Sequence, residues 1–432
     1  MSDVSLSELG HVIRRLEAKS LLRRPAVRAA SLEEALGGTV EETEHGRVLL
    51  VRRRFDLGHR HGQQTLSRAG EIAPGPLGVL ARAGAPAAGG RLLYLDTETT
   101  GLAGGTGTYA FLVGVGLFDG NGFEVRQYFM RDLDEEPALL AALDALFRDF
   151  DGFVTYNGAG FDLPLLETRF VLARRRWPGD RFHLDLLSAA RRLWSARLAD
   201  CRLGTLEQHV LRFTREDDLP GAMIPAVYFD YLRRKQAGEL PRVFEHNRHD
   251  ILSLVALTGW VAAAVARAPG PDLHPEELVG LGRLWETMDL DRGLACYRMA
   301  LDRGLGSPGR ERVLLQLARR EKGLARWDEA RALWQAATRS EHGFDPRPWE
   351  EIAKVYEHRQ RDFAAARAVV EEALSRARAH LASGRVLGAF EYRLERLTRR
   401  LIGRGLDGPP GPLPGLLQKT GLRRRGRRSN GG

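Results

Sequence analysis

With 432 residues, 43% hydrophobic and 28% charged, the chain has the make-up of a soluble protein of two or three domains, each large enough for a core. Two cysteines, Cys201 and Cys296, exclude a disulfide framework or a zinc knuckle and read as buried thiols. The formal net charge of +9 is concentrated in Lys419 to Gly432, where Lys419, Arg423, Arg424, Arg425, Arg427 and Arg428 stand without an acid, which suits salt-sensitive phosphate contact or a solubilising terminus.

Met1 to Leu22 alternates apolar and charged residues as an amphipathic helix does, without the charged-then-apolar order of a leader. Thr39 to Thr43 and Val48 to Arg54 read as strands around the turn Glu44-His45-Gly46. His59 and His61 form a lone His-x-His with no partner for a metal role. Ala83 to Gly90, made of Ala, Gly and Pro, reads as a linker that sets residues 1–90 apart as an N-terminal helix and small β region. From 91 to 267 strands near 91–96, 108–118 and 123–130, a helix 136–150, a strand 153–157, a helix 162–174 and further helices give the order of a mixed α/β sheet. The apolar runs Tyr109 to Phe118 and Leu257 to Ala266 are about half the length of a membrane span. The chain is therefore expected to be cytoplasmic and free of the membrane.

Asp96 and Glu98 share one face of an extended strand at the end of the apolar run Leu92-Leu93-Tyr94-Leu95. Two carboxylates beside a core repel and lose hydration, a cost that a divalent cation removes. Asp162 stands at the strand-to-helix corner after Phe153-Val154-Thr155, with Pro164 in the first turn of its helix. Asp250 lies on a later helix whose Ile251, Leu254, Val255 and Thr258 have the spacing of a buried face, and His246, four residues earlier, projects with it. Asp96, Glu98, Asp162 and Asp250 are the expected metal ligands, with a charge that two Mg²⁺ or Mn²⁺ ions would balance. Such a pair of ions stabilises both attacking and leaving oxygens in phosphodiester cleavage. His246 is the candidate to orient or deprotonate the attacking water; His249 lies about 100° further around the helix.

Ala-Pro-Gly-Pro at 268–271 closes this region. Beyond it Leu290 to Leu301, Trp327 to Thr338 and Phe363 to Leu374 align at offsets of 37 and 36 residues, with small residues at Gly293, Ala330 and Ala366 and closing alanines at 300, 337 and 373. That period is close to the helix-turn-helix period of tetratricopeptide repeats, so residues 272–402 are expected to be helical repeats. Residues 403–432, rich in Pro, Gly and Arg, are expected to be a disordered basic tail.

Asp-Thr-Glu-Thr-Thr-Gly-Leu at 96–102, Tyr-Asn-x-x-x-Phe-Asp at 156–162 and the late Asp250 together resemble the DEDD superfamily of 3′–5′ exonucleases on a ribonuclease-H-like fold. A closer resemblance is to the YprB-type bacterial proteins, which join such a domain to tetratricopeptide-like repeats. It covers Gly105 to Gly114, Asp218-Leu219-Pro220-Gly221 with Ile224-Pro225, and His246-Asn247-x-x-Asp250-Ile251-Leu252-Ser253-Leu254. The third motif departs from the superfamily pattern: Glu245 is the fifth residue before Asp250, and His246 stands at the spacing otherwise taken by tyrosine.

The resemblance implies a metal-dependent exonuclease acting on single-stranded DNA or RNA, with Asp96, Glu98, Asp162, His246 and Asp250 catalytic. It also implies that Thr99 and Leu102 contact the terminal nucleotide; the repeats would then recruit a partner protein or guide the substrate. Asn157 fits a substrate contact, a part in orienting Asp162, or a turn, and Asp185 either an additional acid or a helix cap. Arg174-Arg175-Arg176 and Arg191-Arg192 fit phosphate tracking or a solvated face. The glycines at 101–107 lack the Lys-Ser/Thr of a phosphate-binding loop. A non-catalytic binding scaffold and an internally cutting hybrid nuclease remain alternatives on the same fold.

Overall fold

A computed structural model describes residues 31–81, 90–101, 105–120, 122–178, 181–340 and 343–403. The expected leading helix at Met1 to Leu22, most of the Ala/Gly/Pro linker, Leu102 and the tail from 404 lie outside those residues. The chain divides into two compact units, Met1–Ala189 with Cys201–Ala263, and Ala190–Asp200 with Ala264–Gly432.

The first unit is built on a seven-stranded sheet. Its strands are β1 (Gly38–Thr43), β2 (Gly46–Asp56), β3 (Leu92–Thr99), β4 (Ala110–Phe118), β5 (Gly122–Phe129), β6 (Gly152–Thr155) and β7 (Phe182–Asp185), in spatial order β1-β2-β5-β4-β3-β6-β7. The neighbours from β1 to β3 pair antiparallel, and β3–β6 and β6–β7 pair parallel. A three-stranded meander continued by two parallel strands is the mixed sheet of a ribonuclease-H-like fold. The crossovers of its parallel half run through α1 (Glu136–Phe147) and α2 (Asp162–Leu172). α3 (Ile224–Arg234) and α4 (Leu240–Arg267) follow.

One expectation needs correction. The two strands expected in a separate N-terminal β region are β1 and β2 of this same sheet, with Leu49, Leu50 and Val51 paired opposite Phe129, Tyr128 and Gln127 and buried with them. Composition marks the linker, but pairing between residues as far apart as Leu49 and Phe129 leaves no local trace. Nor does the first unit end at 267: the division falls between Ala263 and Ala264, inside α4, and Ala190–Asp200 belong to the second unit.

β4 reads Ala-Phe-Leu-Val-Gly-Val-Gly-Leu-Phe and is buried along almost its whole length, as a central strand covered on both faces requires. Phe111 stacks on Tyr228 of α3 with centroids 4.0 Å apart, and Gly114 and Gly116 let α4 approach the other face. A Cβ at Gly116 would stand 2.6 Å from Ile251 Cγ2. By length and composition α4 could cross a membrane, contrary to the expectation that no apolar segment is long enough. Its apolar window is, however, 72% buried inside the protein, as in a core helix.

The second unit is helical. Three pairs are α5 (Pro275–Trp285) with α6 (Leu290–Asp302), α7 (Gly309–Gly323) with α8 (Trp327–Ala337), and α9 (Pro346–Lys354) with α10 (Phe363–Ala379), and α11 (Gly384–Ile402) follows. The three aligned segments begin α6, α8 and α10. Asp289 and Asp362 cap the first and third of these, accepting from Arg292 and Ala365 backbone N–H groups. Ala330 and Ala366 are fully buried, and a Cβ at Gly293 would stand 2.9 Å from the Gly282 carbonyl oxygen of α5. Larger side chains there would hold the helices apart.

Candidate metal centre

The register of β3 creates the site. Its parallel pairing with β6 ends at Tyr94↔Val154, so Asp96, Thr97 and Glu98 run past the end of β6 and pair only with Gly114, Val113 and Leu112 of β4. The open edge is met by the start of α2, where Asp162 Oδ1 accepts from Thr97 N–H at 3.1 Å and Thr97 Oγ1 at 2.5 Å. Gly114 lies directly opposite Asp96, and the space its missing side chain leaves is filled by Asn247 of α4. Asn247 is fully buried; its Oδ1 accepts from Gln127 Nε2 at 2.9 Å, which turns its Nδ2 to donate to Asp96 Oδ2 at 2.9 Å. On the same helix, His246 and Asp250 present a nitrogen and an oxygen that lie with a Glu98 oxygen within 4.8 Å of one another.

This crowding has an electrostatic cost. Burial, then the charges of Asp250, Asp162 and Glu98, hold the Asp96 carboxyl well above the ordinary carboxylate range. Burial, then Asp250 and Asp162, do the same to Glu98, with Arg215 opposing. Burial pushes Asp162 up to about 6 despite the Thr97 bonds. Among the described residues these three acids resist ionisation in one pocket, with Arg215 offsetting only part of the cost at Glu98. Clustered carboxylate oxygens with one imidazole are a donor set that suits a divalent ion.

Arg215 is the nearest cation. It donates to Asp250 Oδ1, to Glu207 through Nη2 at 2.6 Å and Nε at 2.8 Å, and to Asp218 Oδ2 at 3.3 Å. Burial alone would lower its pKa, yet Asp250 and Glu207 hold it above the ordinary value. Asp218 Oδ1 also lies 2.8 Å from His246 Nδ1. Behind Arg215, Glu207 Oε1 accepts from Ser253 Oγ at 2.5 Å, and Ser253 Oγ lies 2.7 Å from Nε2 of His61. His61, for which no metal role is expected, is a buried member of this network, and burial presses its pKa down to about 3.

The structure brings together Asp96, Glu98, Asp162, His246 and Asp250. Thr99 adjoins them on β3, its hydroxyl donating to the Gly101 carbonyl at 2.9 Å; Leu102 lies outside the described residues. Asn157 sits in a turn at φ 64°, its N–H donating to Asp185 Oδ1 at 2.8 Å. Asp185 also accepts from Ala159 and Leu187 N–H groups, so it both caps the helix after it and braces the loop that delivers Asp162. Arg175 pairs with Asp144 at 3.6 Å, beyond the far end of α2 and on the order of 16 Å along the helix from Asp162. His249 packs against Phe213 and His61. Sequence reasoning missed Arg215, Asp218, Glu207 and the positioning by Asn247. The only sequence signal was the presence of Asp218 and Asn247 inside the segments that carry the resemblance.

Residues 93–262 match the family model described as RNase_H superfamily, a span that contains every acid of the site. Over 330 residues the chain is 30% identical to the uncharacterized protein YprB of Bacillus subtilis (strain 168), covering 74% of this chain and 79% of that one. A solved structure, the family B DNA polymerase from the hyperthermophilic archaeon Pyrobaculum calidifontis, is similar at a TM-score of 0.31 and 15% identity. That match covers 48% of this chain and 30% of the polymerase, too slight a likeness to bear on the chemistry. The chain belongs to the YprB family and carries an RNase_H-superfamily domain.

Proposed function

We propose that this protein is a divalent-metal-dependent nuclease of the DEDD type, a cytoplasmic 3′–5′ exonuclease on single-stranded nucleic acid. The observation that carries the reading is the convergence of Asp96, Glu98, Asp162 and Asp250 from β3, α2 and α4, with the first three held above their ordinary pKa by burial, and Asp96 and Glu98 further by repulsion from the other acids. Divalent ions held by these carboxylates supply activation of water and stabilisation of charge on the leaving 3′ oxygen. Thr97 holds Asp162, Asn247 holds Asp96, and Arg215 with Asp218 holds Asp250 and His246, so the acids are set before substrate arrives. Thr99 and Leu102 follow the site along the chain and would meet the terminal nucleotide. The helix pairs from α5 to α11 are proposed as tetratricopeptide-like repeats that recruit a partner protein.

The test is incubation of the purified chain with end-labelled single-stranded DNA, single-stranded RNA and an RNA–DNA hybrid, with Mg²⁺, Mn²⁺ or chelator. A ladder that shortens from the 3′ end supports the proposal. Internal cuts in the hybrid would make the protein an endonuclease. No cleavage of any substrate would leave a binding scaffold.

A further inference from the structure

We infer that His246 is itself a ligand of a metal ion shared with Glu98 and Asp250, oriented for that role by Asp218, so that the site prefers Mn²⁺ or a later transition ion to Mg²⁺. This rests on the reading of the acids as a metal centre and names which ions that centre selects.

Nδ1 of His246 faces Asp218 Oδ1 at 2.8 Å and Arg215 Nη1 at 3.3 Å. Arginine only donates, so Nδ1 cannot serve both neighbours. The shorter contact is with a carboxylate, which only accepts; Nδ1 therefore carries the proton, and Arg215 Nη1 turns to Asp218 Oδ2 at 3.3 Å. With that tautomer fixed, the lone pair of Nε2 points the other way, to Asp250 Oδ2 at 3.4 Å. Two lone-pair atoms facing each other at that distance repel unless a proton or a cation lies between them. Ligands bound at about 2.1 to 2.2 Å to one ion stand about 3.0 to 3.5 Å apart for angles between 90° and 110°. The observed 3.4 Å falls within that range.

The oxygen of Glu98 completes the group, all within 4.8 Å. The widest separation that one ion allows is about 4.4 Å, so a contraction of a few tenths of an ångström closes the site. A carboxylate hydrogen-bonded to the far nitrogen of a ligating imidazole is the usual way proteins fix its tautomer and raise its basicity. Imidazole favours Mn²⁺ and later transition ions over Mg²⁺, which keeps to oxygen donors and demands near-ideal octahedral geometry. A histidine that only deprotonated water would instead need a water between Nε2 and the ion, and would leave metal affinity nearly unchanged on removal.

The experiment loads the full chain with Mn²⁺ and records electron spin echo modulation, which detects a directly bound ¹⁴N. In parallel, Mn²⁺ and Mg²⁺ affinities are titrated for wild type, His246→Ala and Asp218→Ala. The wild type is expected to show the ¹⁴N signal and His246→Ala to lose it. Mn²⁺ affinity should fall about 10- to 100-fold or more in His246→Ala and about 10-fold in Asp218→Ala, with a smaller fall for Mg²⁺. Bound Mn²⁺ without a nitrogen signal in the wild type, which needs no variant to fold, would overturn the assignment while leaving the acidic metal centre intact. No Mn²⁺ binding at all would overturn the metal-dependent reading and this inference with it.

Discussion

Gly114→Ala is the most demanding single test of how the site is assembled. A Cβ at 114 would stand 2.0 Å from Asn247 Oδ1 and 2.7 Å from its Cγ and Nδ2. Asn247 is fully buried on a helix packed against the same strand, so it cannot yield by a small rotation. It must move away and give up its bonds to Gln127 and Asp96, each 2.9 Å. Overpacking costs about 1 to 3 kcal/mol and each buried polar group left unpaired a similar amount, so the loss should be about 3 to 6 kcal/mol. For a unit of this size that is a fall in Tm of roughly 6 to 24 °C. Guanidinium and thermal denaturation of the variant, followed by circular dichroism, measure it. Gly107→Ala serves as control, since a Cβ there meets nothing within 4 Å. A Gly114→Ala protein within about 1 kcal/mol of wild type would refute the packing argument.

Other expectations follow from particular residues. Burial raises Asp162 from its ordinary 3.8 to about 6, so without metal the folded protein keeps a proton that the unfolded chain releases. This penalty is absent below the unfolded value, grows as pH rises and is complete above about 6, reaching about 3 kcal/mol. Asp162→Asn should therefore gain on wild type by up to about that amount between pH 4 and pH 7.5 in metal-free denaturation, and a difference that does not change with pH contradicts the argument. Replacing the fully buried Ala330 with Leu should cost about 1 to 3 kcal/mol and leave Mn²⁺ affinity unchanged; unchanged stability would show that no tight helix crossing exists there. Glu357 is buried and accepts from Arg393, Arg396 and Arg400, which lie along one face of α11. Glu357→Ala should cost about 1 to 3 kcal/mol, because Arg396 and Arg400 are partly exposed and water screens them while Arg393 is left half-buried without its partner, and a stability equal to wild type would show that none of the pairs contributes.

The acids were legible in the sequence because each motif is local. Alternation places Asp96 and Glu98 on one face of β3, a strand-to-helix corner places Asp162, and a helical turn sets His246 beside Asp250. The sheet followed from the same alternation of strands and helices, and its elements were found to within a few residues except β7, whose four residues lie in a stretch read as helical. What holds the acids was not legible. Asn247 reaches Asp96 across 151 positions, Ser253 reaches His61 across 192, and Asp218 reaches His246 across 28. Such contacts depend on the crossing of α4 over β4, which the sequence records only as two glycines whose partner it does not specify. The edge strand β1 and its neighbour β2 were recognised but assigned apart, since the pairing of β2 with β5 leaves no feature near the linker.

The central claim is that the crowded acids exist to hold divalent ions for phosphodiester cleavage. The measurement that bears on it most directly is the cleavage rate of a 3′-recessing ladder on 5′-labelled single strands, for wild type and Asp96→Asn side by side, titrated with Mn²⁺ and then with chelator. The account predicts cleavage that rises with Mn²⁺, stops with chelator and falls at least about 10²-fold in Asp96→Asn. Cleavage that persists in chelator, or an Asp96→Asn protein as active as wild type, would contradict it.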